Sequence, residues 1–322
     1  MENSVQKVLV VGLGSIGKRH VQILRELYPE IVISGLKNSP WNGREIELDK
    51  RLMHMDDALS FKPDAAIVSN PATKHLETAM RLAENGVHLL IEKPISASSK
   101  GVQELIDLCE RNRVVLMTGY NLRFLPSLIE FKNMIQQGKI GKIYSVYAET
   151  GQYLPDWRPD KDYRKTVTAK KELGGGVLLE LSHDINYLTW IFGPISWVKS
   201  HISKQGNLQI NVEDSVHVIL GFKDSENSLI SGTLNMDCLR RDATRKCRVI
   251  GEKGTLLWDG VSGEVKIFSD DEKEWKLVTV FKAERNFTYS EEIKHFFSSI
   301  KSGKPPFISG KDGLATLLDV EA

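Results

Sequence analysis

Cysteine is scarce: Cys109, Cys238 and Cys247 stand far apart, odd in number, with no C-x-x-C pair among them. That excludes a disulfide framework and a cysteine-built zinc site. An excess of charge of one sign is missing too, since 43 Lys+Arg against 42 Asp+Glu leave a formal net charge of +1. No global field therefore calls for nucleic acid or a membrane surface. No apolar run approaches the roughly 20 residues that span a bilayer. The opening MENSVQK carries no apolar signal core. Repeats and low-complexity tracts are absent. These gaps predict a globular protein of the reducing cytosol, with neither a membrane nor a nucleic-acid partner.

What is present is ordered. With 322 residues and 41% apolar side chains, the chain can build two domains, each with its own core. Residues 7–13 (KVLVVGL) form a short buried strand, and from Ser15 to Leu27 the period becomes helical, with Ile16, His20, Ile23, Leu24 and Leu27 on one face. Apolar runs at 31–34, 65–70, 88–93 and 114–119 follow, with amphipathic stretches at 73–85 and 98–112. Gly86 supplies a helix stop. Strands alternating with helices predict a parallel, doubly wound sheet that ends near residue 120.

From 121 onward the pattern changes. Amphipathic segments at 123–137 and 177–192 precede a series of strand-like runs, among them SVHVILGF, LISGTLNMD, 246–258, 264–269 and 275–281. Their spacing predicts a second, α+β domain over 121–322 with a mostly antiparallel sheet. The last helical patterns, 289–301 and 310–322, are expected to pack back on the body.

Gly12, Gly14 and Gly17 spell G-x-G-x-x-G between the first strand and the first helix. In that context the glycines give a tight turn, close approach of a pyrophosphate, and close helix–strand packing. The segment Gly12-Leu13-Gly14-Ser15-Ile16-Gly17 is thus predicted to bind a dinucleotide at a helix N-terminus. An acid that would hold a ribose 2′-hydroxyl is missing after the second strand. Gly35-Leu36-Lys37-Asn38-Ser39 stands there instead, with Arg44 further on and no carboxylate before Glu45. Lys37 suits a 2′-phosphate, which tilts NAD(P) towards NADP.

The strand HLLIEK delivers Lys93 to the carboxyl edge of the sheet, with Pro94 holding it extended. A lysine there can stabilise negative charge on a substrate oxygen. In the second domain, Gly174–Gly176 precede a helical stretch that sets Glu180, His183 and Tyr187 on one face, and a histidine can take a hydroxyl proton. Metal-assisted chemistry at His183 and Glu180 is disfavoured, because two ligands fall short of three. Between residues 151 and 165, Tyr153, Trp157, Arg158, Tyr163 and Arg164 can stack on a sugar and clamp an anion. From Arg158 to Lys171 six cations face two acids, Asp160 and Asp162, so an anionic substrate is expected.

VVGLGSIGKRH (10–20), SNPATKH (69–75), HLLIEKPIS (88–96), GYNLRF (119–124), GGGVLLELSHDINYL (174–188) and IGEKGTLLWDG (250–260) together resemble the glucose–fructose oxidoreductase / inositol dehydrogenase (Gfo/Idh/MocA) family. The resemblance implies a Rossmann domain followed by an α/β domain whose open sheet mediates homo-oligomers, dimers or tetramers. It implies hydride exchange with a hydroxyl or carbonyl carbon of a sugar, sugar acid or nucleotide sugar bound between the domains. Lys93 and His183 match the family's catalytic residues. Ser69, Asn70, Pro71, His75, Glu92 and Asn121 are implied to border the cofactor, and Arg123 the substrate.

Two departures from the family pattern stand out. The family's aspartate four residues before the histidine is replaced here by Glu180, three before, and the aspartate three residues after it is Asn186. Glu180 or Asp184 is left as the carboxylate that orients His183. A non-catalytic dinucleotide sensor on the same scaffold is the alternative function.

Overall fold

The computed structural model describes residues 5–37, 41, 46–223, 229–282 and 284–322. Arg44, Asn38, Ser39 and Glu45 lie outside the described residues. The chain divides into two units, Met1–Asn121 with Arg285–Glu321, and Leu122–Glu284.

The first unit runs β1 (Lys7–Val11), α1 (Ser15–Leu27), β2 (Val32–Leu36), β3 (Lys50–Leu52), α2 (Met55–Ser60), β4 (Ala65–Val68), α3 (His75–Glu84), β5 (His88–Glu92), α4 (Val102–Arg111) and β6 (Leu116–Gly119). All six strands pair in parallel in the order β3-β2-β1-β4-β5-β6. Val8–Val11 and Ala65–Val68 are buried along their whole length, because helices cover both faces of such a sheet. Parallel pairing also puts every strand's carboxyl end on one edge, so the residues following β1, β4, β5 and β6 gather there.

The second unit holds α5 (Pro126–Gln136), β7 (Ile143–Gly151), α6 (Val177–Glu180), α7 (His183–Phe192), β8 (Ile195–Ser203), β9 (Ser215–Lys223), β10 (Leu229–Asp237), β11 (Thr244–Gly251), β12 (Gly254–Asp259), β13 (Glu264–Ser269) and β14 (Trp275–Val280). Its eight strands are ordered β14-β13-β12-β11-β7-β10-β9-β8, and β7 with β10 is the parallel pair in an otherwise antiparallel sheet. One face is buried through Val146, Leu220, Leu234, Val249 and Trp258, and the indole N–H of Trp258 donates to Ser127 Oγ at 3.1 Å. The other face exposes Tyr147, Ile219 and Leu277. The chain then returns to the first unit with α8 (Phe287–Ser302) and α9 (Gly310–Glu321).

Two expectations need correction. The run 246–258 is a hairpin: Gly251 pairs with Gly254, and the chain turns at Glu252-Lys253. The stretch 177–192 is not one helix but α6 and α7. At the break the Ser182 hydroxyl donates to the Leu179 carbonyl at 2.8 Å, a side-chain bond that competes with the helix ladder.

Candidate active site

The phosphate-binding turn is built from the carboxyl ends of β1 and β4. Gly12 has φ +85°, and a Cβ on it would sit 2.4 Å from the Asn70 amide nitrogen. A Cβ on Gly17 would sit 1.9 Å from the Gly12 carbonyl oxygen. Ser69 closes the turn by donating its hydroxyl to the Val11 and Gly12 carbonyls at 3.0 and 2.8 Å. Gly14 differs. Its φ of −71° suits any residue, and a Cβ there would meet nothing within 4 Å. The fold does not need that glycine, so what it leaves room for lies outside the chain. With Leu13, Ser15 and Ile16 it opens α1, whose first turn holds no acidic side chain and no side-chain cap. Bare amides and the helix dipole together suit an anion.

This contrast gives a prediction. Gly12→Ala should cost about 2 kcal/mol of stability or more, because a non-glycine residue is strained there. Gly14→Ala should melt with the wild type yet weaken cofactor binding about tenfold. Thermal denaturation and titration of reduced-cofactor fluorescence check the pair.

Beside the turn, a recess of about 390 Å³ is lined by Val11, Leu36, Met53, His54, Met55 and Asn70, among others, at the ends of β1, β2 and β4. Asn70 donates its side-chain amide to Thr78 Oγ1 at 2.9 Å. Lys37, just after β2, has its ammonium 5.6 Å from the Trp41 ring, and the Arg51 guanidinium is 5.4 Å from the same ring. Sequence reasoning found Lys37 but not Arg51 or Trp41. The bare turn, the helix N-terminus and the recess fit a dinucleotide.

Lys93 follows β5 and is half-buried, with a cis peptide to Pro94. Glu92 is buried beneath it: His20 donates from Nε2 to Glu92 Oε1 at 2.7 Å, and the Lys93 amide donates to Oε2 at 3.3 Å. Pro71 starts the 3-10 turn Ala72–Lys74. His75 is buried at the start of α3, its Nδ1 2.8 Å from the Pro94 carbonyl and its Nε2 2.8 Å from the Asn70 carbonyl. Burial draws its pKa below the usual imidazole value. The ring thus ties the Lys93–Pro94 loop to the loop after β4. Asn121, after β6, donates to Thr288 Oγ1 at 2.9 Å.

In the second unit, His183 is half-buried in the first turn of α7. Glu180 lies on the separate helix α6, where its Oε1 accepts from Thr168 Oγ1 at 3.0 Å. Glu180 closes α6 and His183 opens α7, with Leu181 and Ser182 between them. Asp184 is fully buried and ion-paired with Arg245 at 3.1 Å. Burial nevertheless lifts its pKa above the ordinary carboxyl value against the pull of that guanidinium. Asn186 Oδ1 accepts from Arg123 Nε at 2.8 Å, and the buried Arg123 guanidinium lies 5.5 Å from the Trp190 ring. Sequence spacing gave no sign of this pairing, nor of Arg245.

The aromatic, cationic segment is partly self-satisfied. The Arg241 guanidinium lies 3.5 Å from the Tyr153 ring centre, and the Trp157 indole donates to the Gln152 carbonyl at 2.8 Å. Arg164 pairs with Asp162 at 2.8 Å, while Arg158 is exposed.

Known proteins bear on this geometry. Residues 6–120 match the oxidoreductase family described as an NAD-binding Rossmann fold, and residues 132–322 match its C-terminal alpha/beta domain. The chain is 27% identical over 333 residues to the myo-inositol 2-dehydrogenase of Thermotoga maritima, covering 97% of this chain and 93% of that protein. Levoglucosan dehydrogenase, solved with NADH, superposes with a TM-score of 0.83 at 19% identity, over 98% of this chain and 95% of that one. The WlbA dehydrogenase of Bordetella pertussis, solved with NADH and UDP-GlcNAcA, gives 0.81 at 20% identity, over 99% and 95%.

Proposed function

Because the chain belongs to the Gfo/Idh/MocA oxidoreductase family, with its NAD-binding Rossmann fold, we propose that it exchanges hydride with a CH–OH carbon of a sugar-like substrate that carries an anionic group. The observation that carries this reading is the placement of Lys93 on the same sheet edge as the turn left bare at Gly14.

When bound, the nicotinamide supplies the hydride acceptor or donor. This chain's own residues do the rest. Gly12–Gly17 and the α1 amides hold the diphosphate. Lys93 donates to the reacting oxygen and stabilises the negative charge that develops on it. His183 takes the hydroxyl proton in oxidation and returns it in reduction. Glu180 orients His183, a reading supported by the engagement of Asp184 with Arg245. Arg123, fixed by Asn186 and Trp190, faces substrate as a preset cation. Tyr153, Trp157 and Arg158 take the sugar face and its anionic group. A relative named for myo-inositol, and fold neighbours named for levoglucosan or solved with UDP-GlcNAcA, support a polyol or sugar substrate. The exposed apolar face of the second unit's sheet supports a homo-oligomer.

The cofactor preference assigned here is NADP. Its support is Lys37, just after β2, and Arg51, on β3, both of whose cations lie against the Trp41 ring. Lys37→Ala combined with Arg51→Ala should weaken NADPH about tenfold or more and NADH by less than about threefold. Equal losses for both cofactors would remove the preference.

The function itself is tested by following reduced-cofactor absorbance with neutral polyols, sugar acids and nucleotide sugars. Turnover with an anionic member is expected. Turnover with neutral polyols alone would remove the anionic group. Cofactor binding with no turnover across the panel would favour the sensor.

A further inference from the structure

Beneath Lys93 lies a cluster that the reaction as proposed does not use. One ligating atom each from His20 on α1, Glu92 on β5 and Glu292 on α8 lies within 4.8 Å of the other two, and all three residues are buried. His20 and Glu92 are joined at 2.7 Å. Glu292 is different: it is fully buried, and neither carboxyl oxygen has a hydrogen-bond partner among the described residues. Such a carboxyl must either hold a proton or be neutralised by a counter-ion.

We propose that Glu292 is a positioning residue for Lys93, acting through the Glu92 carboxylate, which His20 and the Lys93 amide hold. This rests on the reading of Lys93 given above.

Two buried carboxylates a few ångströms apart cannot both ionise. Glu92 is the one that accepts donors, from His20 and from the Lys93 amide, so Glu92 carries the negative charge. Glu292 then holds the proton. Burial, and next the charge of Glu92, push its pKa well above the usual carboxyl range. The other charged or titratable groups facing the cluster include buried His75, which feels the Glu92 charge, and Arg19 and Tyr289, with the Arg19 guanidinium 4.9 Å from the Tyr289 ring centre and the ring edge-on to His20 at 5.8 Å. Tyr289 stays neutral, its pKa lifted by burial to about 12. A divalent cation is the rival occupant, but it would have to displace the proton already shared between His20 and Glu92.

When Glu292 loses its proton, its charge drives Glu92 away and unsettles the backbone that presents Lys93. Activity should therefore fall on the alkaline side for a reason that Glu292→Gln, neutral and of the same shape, removes. The experiment measures kcat from about pH 6 to 10 for wild type, Glu292→Gln and Lys93→Ala. The alkaline limb of Glu292→Gln is expected to move up by about one pH unit or more. Identical profiles in wild type and Glu292→Gln would overturn the proposal. If Lys93→Ala turns over like wild type, the reading of Lys93 fails. A Lys93-dependent enzyme whose profile ignores Glu292→Gln removes only the role of Glu292.

Stability supplies a second readout. A carboxyl whose folded-state pKa is raised stabilises fully below its unfolded value of about 4.3, and that stability is lost as pH rises towards the folded value. The wild-type melting temperature should thus decline relative to Glu292→Gln with rising pH, and a constant difference would contradict the buried proton. A stoichiometric divalent metal in the purified wild type, lost in Glu292→Gln, would overturn the proposal in favour of a cation site.

Discussion

His183→Ala is expected to lose about 10²- to 10⁴-fold in kcat, the usual worth of a positioned general base, while cofactor affinity stays within about twofold. The size follows from what the imidazole is asked to do. An alcohol does not release its proton near neutrality without an acceptor, and hydride cannot leave a carbon whose oxygen remains protonated. His183 opens α7 half-buried, so it is within reach of a ligand, whereas the neighbouring Asp184 and Asn186 are buried and committed to Arg245 and Arg123. Oxidation by the wild type should fall on the acid side, where a protonated imidazole can no longer accept the hydroxyl proton. His183→Ala should lose that limb, and added imidazole should restore part of the rate. Steady-state rates across pH, with cofactor binding measured separately, check each point.

Lys93→Ala should lose about 10²- to 10³-fold in kcat, as when one donor to a developing oxyanion is removed. Lys93→Arg should not restore the rate, because a planar fork presents its donors differently from a compact ammonium. The loss should leave stability nearly unchanged. What anchors the loop is backbone and Glu92: the Lys93 amide on Glu92, and the Pro94 carbonyl on His75. Rates and melting temperatures of the two variants test this directly.

How much of this was legible beforehand depended on whether local pattern or long-range register decides a residue's place. The Rossmann sheet was readable because each buried parallel strand is a continuous apolar run, and the glycines mark the turn in the sequence itself. β3 was not, being three residues long and polar, KRL, and held as a strand only by pairing with β2. In the second unit β7 reads IYSVYAETG, with Tyr144 and Tyr147 exposed, yet it lies between β11 and β10. Its position is set by partners about a hundred residues away, which no local period reveals. β8 was missed because most of it is exposed.

The same division holds at the site. Lys93, His183 and the glycines announce themselves by motif. The partners of the second set of side chains come from distant segments: Arg245 for Asp184, Arg51 beside Lys37 and Trp41, and Glu292 near Glu92. Spacing predicted one helix carrying Glu180 and His183; they fall on two, with Leu181 and Ser182 between, where the Ser182 hydroxyl bonds the Leu179 carbonyl.

We propose that Lys93 and His183 act on one substrate oxygen in one step. A double-mutant cycle on kcat/KM tests it most directly. Groups that work as a unit are strongly non-additive, so Lys93→Ala in the His183→Ala background should cost less than about tenfold. Losses that simply multiply would show two independent contributions and contradict the account.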